Sequence, residues 1–406
     1  MKILMTGATG LIGQQLGKAL VELGHQIIVV SRNQDKAKLN LPFPCLVIES
    51  DLSQQQIPAE KLEGVDAVFH LAGENIGEAR WTIEQKNKII HSRVQTTKNL
   101  LQSFRQVKNT RTFIMSSAIG FYGDRQDEVL DEKSVQGQGF LSEVCQKWEE
   151  AFHQGIQNLQ SQNSQDIRSV VLRTSIVLSP FGGALEKMKQ PFLFGVGAAL
   201  GSGKQWMSWI HIQDLIRVFI QALQDTKLKG VINAVSPEPV PNLVFSQTMA
   251  RLLNTRLLPS VPQFALRTLL GEMASLIFDS QKVKTLFLNQ EQFLFPDLQS
   301  ALQNCLQYHK ENDFYFYTEQ YIPFEKEKVF AFFSLAENLE KITPPSLHFH
   351  ILKKSTEQVQ EGTLIDYRLR IHGVPVGWQT QILNWNPNHL FVDTQLKGPY
   401  RSEERR

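Results

Sequence analysis

The sequence predicts an α/β fold: a doubly wound parallel sheet with a small C-terminal lobe, followed by a partial α+β unit. Three observations predict it. Short apolar runs alternate with helical stretches over residues 1–120. Glycines at positions 7, 10 and 13 separate the first apolar run from the first helix. The texture then changes near residue 236, at the proline-rich run Ser236-Pro237-Glu238-Pro239-Val240-Pro241-Asn242.

The elements follow in order. Ile3 to Met5 is the first strand, and a helix follows with Ile12, Leu16, Leu20 and Leu23 on one face. Ile27 to Val30, Cys45 to Ile48 and Ala67 to Leu71 are the second, third and fourth strands. A helix over Glu84 to Phe104 leads to the fifth strand, Phe113 to Met115. Val170 to Leu172 and Val231 to Ala234 supply a sixth and a seventh. Helices near 242–254 and 262–276 build the small lobe. The polar stretch Tyr308-His309-Lys310-Glu311-Asn312-Asp313 marks the next boundary. The expected domains are therefore 1–235, 236–308 and 312–406. In the last, strand 314–322 precedes a helix at 324–333, a second short helix and further strands. Ile365, Tyr367, Leu369 and Ile371 alternate with Asp366, Arg368 and Arg370, the pattern of a half-buried antiparallel strand.

Composition narrows the partners. A net charge of +2, from 42 basic and 40 acidic residues, argues against nucleic acid or membrane chosen by bulk charge. Cys45, Cys145 and Cys305 lack metal-ligand spacing and read as free thiols of a reduced, cytoplasmic protein. No run is long and apolar enough to span a bilayer. The apolar N-terminus reads as a first strand rather than a targeting segment.

The glycine turn is the first candidate site. Gly7 permits the sharp turn, Gly10 lets backbone N–H groups approach a pyrophosphate, and Gly13 lets the helix pack closely on the strand. Thr9, Leu11 and Ile12 complete this cradle, with phosphates facing the positive end of the helix. Ser31 and Arg32 follow the second strand, where an NAD site usually places an acid for the ribose 2′-hydroxyl. A serine and an arginine suit a 2′-phosphate instead, so the expected cofactor is NADP. Asp51 follows the third strand, where it can contact adenine or cap a helix. His70-Leu71-Ala72-Gly73 ends the fourth strand with small residues beside the cofactor, His70 itself reading as a packed side chain. Ser116-Ser117-Ala118 ends the fifth strand, at the carboxyl edge where open α/β sheets bind ligands.

With these residues in place, the chain resembles an extended short-chain dehydrogenase/reductase of the nucleotide-sugar epimerase type, with its Rossmann sheet. The likeness covers residues 1 to about 305. It rests on Thr6-Gly7-Ala8-Thr9-Gly10-Leu11-Ile12-Gly13, His70-Leu71-Ala72-Gly73, Ser116-Ser117-Ala118 and Trp209-Ile210-His211-Ile212-Gln213-Asp214-Leu215. An atypical branch with a distinctive C-terminal lobe is similar in Gly73-Glu74-Asn75-Ile76, Ser92-Arg93-Val94, Trp148-Glu149 and Gly201-Ser202-Gly203-Lys204-Gln205-Trp206, and in Gly182-Gly183-Ala184-Leu185 followed by Pro191-Phe192. The resemblance implies that Ser31, Arg32, Leu71, Ala72, Arg93 and Ile176 line an NADP site, with Gly73 and Ser116 beside them.

The chain departs from that family at the chemistry. Its enzymes use a serine, then a tyrosine with a lysine four residues later on one helix. The tyrosine exchanges a proton with the substrate, and the lysine lowers its pKa. Here Phe140 stands at the tyrosine position and Val144 at the lysine position. Ser117 remains, and Tyr122 is the candidate substitute in the following loop. Glu143, Cys145 and Lys147 are further titrating groups on the same helix. The glycine-rich loop Gly195–Gly203, with Lys204, Trp206 and Trp209, reads either as a substrate lid or as a plain crossover. Asp214 reads as an acid at a helix N-terminus.

Residues 314–400 resemble the start of a START-like helix-grip domain, a superfamily of polyketide cyclases and lipid-binding proteins. The cue is Tyr317-Thr318-Glu319-Gln320-Tyr321-Ile322-Pro323, Glu327-Lys328-Val329-Phe330-Ala331-Phe332-Phe333 and Ile342-Thr343-Pro344-Pro345. No strand or closing helix is expected after Tyr400. Two functions stay open on these grounds, beside a third, an apolar-ligand carrier using the C-terminal unit. One is an NADP-dependent oxidoreductase or epimerase of an unidentified small molecule, with Ser117 orienting the reacting oxygen. The other is a non-catalytic NADP-binding sensor or scaffold, since members of the branch are linked to control of cell or organelle division. A homodimer is compatible with either.

Overall fold

A computed structural model describes residues 1–163, 166–306, 322–371, 373–388, 390–398 and 403–405. The chain forms two compact units, Met1–Gln320 and Tyr321–Arg406.

The first unit is built on a seven-stranded sheet. Its strands are β1 (Lys2–Thr6), β2 (Gln26–Ser31), β3 (Leu46–Glu49), β4 (Ala67–His70), β5 (Thr112–Ala118), β6 (Arg168–Thr174) and β7 (Gly230–Ala234). They lie in the order β7-β6-β5-β4-β1-β2-β3, and every pairing is parallel. The order reverses at β1, so the crevice between β1 and β4 is the topological switch point where such sheets take ligands.

Alternation in β1 explains the layers. Ile3 and Met5 enter one buried cluster, with Leu16 and Leu20 of helix α1 (Leu11–Glu22) and Phe219 of the helix Ile212–Gln224. Leu4 enters the cluster on the other face, with Leu100 and Leu101 of the helix Ile83–Ser103 and Phe152 of the helix Phe140–Asn163. Each such side chain stabilises the fold by about 1.5–3 kcal/mol. A strand flanked by helices on both faces is apolar through its interior, as Ile3, Leu4 and Met5 of β1 and Ala67, Val68 and Phe69 of β4 are, with the polar Thr6 and His70 at the carboxyl ends.

The segment after β7 is built into this unit. Phe245 and Met249 of the helix Asn242–Leu252 pack with Leu298 and Leu302 of the helix Leu298–Leu306, around the buried Trp209. The helix expected over 262–276 is broken. It runs Gln263–Leu270 and stops at Gly271, whose φ of +59° ends the hydrogen-bond ladder. A single turn and the short helix Ser275–Phe278 follow.

In the second unit, helices Lys326–Ser334 and Glu337–Ile342 precede a five-stranded antiparallel sheet. Its strands in order are His350–Lys354, Leu364–Ile371, Val374–Asn386, Leu390–Lys397 and Glu403–Arg405. Ile365 and Leu369 are buried while Arg368 and Arg370 are exposed, as the alternation requires. Phe330 meets Trp385 edge-on at 5.3 Å between ring centres. Of the expected strand over 314–322, residues 314–321 lie outside the described residues, and Ile322 is not in a strand. Strand Glu403–Arg405 corrects the expectation that none follows Tyr400: it pairs with Val392–Thr394, where backbone groups of an edge would otherwise be open.

Candidate functional site

The glycine turn closes the switch point. Gly7 has φ +70°, and a Cβ there would lie 2.7 Å from the Leu71 carbonyl. A Cβ on Gly13 would collide with the Gly7 carbonyl oxygen, and the Gly10 N–H donates to that same oxygen at 3.1 Å. Gly10 begins α1 without a side-chain cap, so the first-turn amides of Leu11, Ile12 and Gly13 have no partner within the helix. Thr9 and Gly10 are exposed. A cradle so shaped, with free N–H groups at a helix start, fits a phosphate.

Behind it lies a buried hydrogen-bond chain. Thr97 donates its hydroxyl to the Arg93 carbonyl at 2.7 Å and accepts from the Trp148 indole at 3.0 Å. It must therefore also accept from His70 Nε2, 2.8 Å away. His70 Nδ1 is then bare and accepts from the Thr6 hydroxyl at 2.7 Å. Thr6 Oγ1 in turn receives the Leu71 and Ala72 N–H groups at 3.2 and 3.3 Å. Burial, with Arg93 adding to it, lowers the His70 pKa to about 3, so the ring is neutral. His70 thus fixes the loop that presses on Gly7.

The other expected cofactor residues surround this point. Arg93 lies over the Trp148 ring, its guanidinium 5.1 Å from the ring centre and against the Gly73 backbone. It donates to the Ile89 carbonyl at 3.2 Å, and it has no carboxylate ion pair among the described residues. Ser31 donates to the Asn33 carbonyl at 3.1 Å, while Arg32 is exposed and also without an ion pair among the described residues. Ser116 Oγ lies 3.5 Å from Thr174 Oγ1. Ile176 begins a short strand paired with Trp209–His211. Asp51 accepts from the Ser53 N–H and hydroxyl, a local turn cap.

The residues at the position of the usual acid–base chemistry are engaged otherwise. Ser117, 3% exposed, donates to Glu149 Oε1 at 2.6 Å. Arg173 grips both oxygens of that carboxylate, at 3.0 and 2.7 Å. A paired carboxylate only accepts, so the hydroxyl proton of Ser117 is directed at Glu149 in this structure. Tyr122 is fully buried, accepts from Arg173 at 3.0 Å and donates to Asn233 at 2.8 Å. The network extends through Asn233 to Glu132 and to the Lys284 carbonyl. Burial pushes the Cys145 thiol up to about 11, helped by Glu149. Lys147 pairs with Glu143 on its own helix.

Val144 is buried in an apolar cluster with Trp81 and Ile89, and Phe140 meets Trp81 edge-on at 4.9 Å. Met273 packs against the same cluster. Beside Phe140 opens a groove of about 610 Å³, lined by Lys86, Asn87, Gln138, Glu143 and Glu272. The glycine-rich loop is anchored. Its strand Ala198–Leu200 pairs with Leu258–Val261, and Trp209 donates to the Glu238 carbonyl at 2.9 Å. Asp214 receives the Leu294 and Phe295 N–H groups at 2.7 and 3.0 Å, tying the later segment down. Among the described residues no cluster has the makings of a metal site. No helix of the described residues is long and apolar enough to cross a membrane.

Sequence reasoning found the glycines but missed Arg173 as the hub. The signal was present, since a charge interrupts the apolar run Val170-Val171-Leu172. Lys86 and Glu272 carried no signal, being joined only by the fold.

Comparison with known proteins completes these observations. Residues 3–234 match the NAD dependent epimerase/dehydratase family, and residues 261–305 match a domain of unknown function, DUF1731. An Arabidopsis thaliana protein described as an "Epimerase family protein SDR39U1 homolog, chloroplastic" is 35% identical over 289 residues, covering 70% of this chain and 80% of its own. The Bacillus subtilis epimerase family protein YfhF is 32% identical over 311 residues, 75% of this chain and 98% of its own. A crystal structure of the human epimerase family protein SDR39U1 with NADPH aligns at a TM-score of 0.64 and 29% identity. It covers 76% of this chain and 99% of that one.

Proposed function

The chain belongs to the NAD dependent epimerase/dehydratase family, and we propose that it binds NADP(H) and acts as an oxidoreductase or epimerase on a small molecule. The observation that carries the cofactor choice is Arg32. It stands exposed just after β2, with Ser31 before it and no acid at the strand-end position that would favour a ribose 2′-hydroxyl. The human relative with NADPH supports the same choice. Gly7, Thr9, Gly10, Leu11, Ile12 and Gly13 would hold the pyrophosphate. Leu71, Ala72, Gly73, Arg93, Ser116 and Ile176 would line the rest of the cofactor cleft.

When bound, the nicotinamide supplies or accepts a hydride. The chain's own residues bind and orient, and their proton chemistry differs from the usual scheme. We read Ser117 and Tyr122 as members of the Arg173 network, because their protons are already spent on Glu149 and Asn233. A second reading, a non-catalytic NADP(H) sensor, is favoured by the apolar cluster that replaces the tyrosine and lysine with Phe140 and Val144.

We further read residues 1–235 as the cofactor-binding part, 236–308 as the lobe beside it, and the second unit as START-like, on its helices followed by an antiparallel sheet. The free thiols suit a cytoplasmic protein.

Titration of an Arg32→Asp variant tests the cofactor assignment. NADP(H) affinity is expected to fall about tenfold or more, with NAD(H) unaffected or improved. Equal loss of both cofactors would remove Arg32 from the site.

A further inference from the structure

We propose that Glu272 occupies the place of a ligand's anionic group, and that Lys86 with Asn87 and Phe140 is a receptor for a small organic anion with an apolar body. The inference rests on the reading that this cleft takes a small molecule. It goes beyond that reading in naming the ligand's charge.

Lys86 and Glu272 form an ion pair in which the lysine side chain is 25% exposed and the glutamate 65%. Lys86 is fixed. It rises from the first turns of the long helix Ile83–Ser103, and its ammonium lies 5.0 Å from the centre of the Phe140 ring. Glu272 follows Gly271, at the end of the helix Gln263–Leu270, in which no residue is buried. Phe264 is 74% exposed and Leu269 60%. That segment is tied to the 80–86 stretch by the pair itself and by Arg80, which donates to the Leu269 carbonyl at 2.9 Å. Met273 packs against the Trp81–Val144 cluster next door.

The surroundings suit an anion once Glu272 swings out. The groove of about 610 Å³ is walled by the amides of Asn87 and Gln138 and floored by Phe140. The other acid lining it, Glu143, is paired with Lys147 at 2.5 Å, which offsets part of its charge. Lys86 would then be a half-buried cation beside an aromatic ring, where a carboxylate or a phosphate could replace the protein's own carboxylate. Retaining Glu272 in the free protein also keeps the lysine paired. A ligand must compete with a tethered carboxylate, so removal of that carboxylate should raise affinity.

The test uses phenyl phosphate and benzoate as probes, benzyl alcohol as the neutral control, and the full chain, by isothermal titration. Either anion is expected to bind the Glu272→Gln variant about tenfold tighter than the parent chain, with benzyl alcohol unchanged. Glu272→Ala should behave alike. Lys86→Gln should lose anion binding with or without Glu272, and Lys86→Arg should keep it. A preference for one anion identifies the headgroup. The proposal is overturned if Glu272→Gln binds neither anion more tightly, if benzyl alcohol gains equally, or if Lys86→Gln still binds. NADP(H) titration of the same variants, unaffected by Lys86, separates this outcome from failure of the cofactor reading.

Discussion

At the scale of residues, two buried polar groups set the site. His70 is neutral and hydrogen-bonded on both ring nitrogens. Its pKa in the fold is about 3 and that of His211 about 4, both lowered from 6.5 chiefly by burial. Below pH 6.5 the unfolded chain takes up these protons and the native chain does not. Stability is therefore flat above that point and falls with acidification by about 1.4 kcal/mol per pH unit per histidine, down to the folded pKa. A His70→Asn variant should be less stable at neutral pH, and its acid slope shallower by one proton. Urea unfolding at several pH values between 4 and 7 checks this, and an unchanged slope would contradict it. The Arg173–Glu149 pair is the second group. Its side chains are 5% and 6% exposed. Arg173→Met leaves Glu149 and Ser117 without their partner and should destabilise the chain by about 3–5 kcal/mol, read as a lower urea midpoint.

At the scale of elements, the glycine turn and the helix Phe140–Asn163 behave differently. Gly13→Ala puts a methyl group onto the Gly7 carbonyl and the Ala8 backbone, neither of which can move without shifting β1. Loss of NADP(H) binding is expected, with destabilisation of about 2 kcal/mol or more. The combination Phe140→Tyr with Val144→Lys would rebuild the usual pair by spacing. It places an ammonium among Trp81 and Ile89, and should lower stability by about 3 kcal/mol, while Phe140→Tyr alone changes it by less than about 1 kcal/mol. Melting curves of the two variants distinguish them. The glycine turn was legible in sequence because one short segment supplies both its geometry and its function. The missing tyrosine and lysine were legible as spacing. What packs around Phe140 and Val144 was not, because Trp81, Ile89 and Met273 reach them only through the fold. Likewise no local pattern marks Ser117 as bound to Glu149, since the two stand 32 positions apart in the chain with no shared register. The helix break at Gly271 was written as a glycine, yet the apolar run around it read as continuous.

At the scale of the whole molecule, alternating strands and helices were enough to predict the doubly wound sheet, and the polar stretch 308–313 was the ground for expecting a further unit from residue 312. The residues of the first unit complete their own core, from β1 to the helix Leu298–Leu306. A chain ending at Gln320, the boundary of that unit, should therefore fold and bind NADP(H) as the full chain does. Its melting temperature should lie within about 4 °C of the corresponding transition in the full chain. Aggregation of the shortened chain would show that the second unit is required for the first. The central claim is the cofactor, and it is tested most directly by titrating NADPH and NADH into the full chain under one buffer and salt concentration. The account predicts that NADPH binds at least about tenfold tighter, the difference shrinking as salt screens the 2′-phosphate from Arg32. Equal affinities, or tighter binding of NADH, would contradict it.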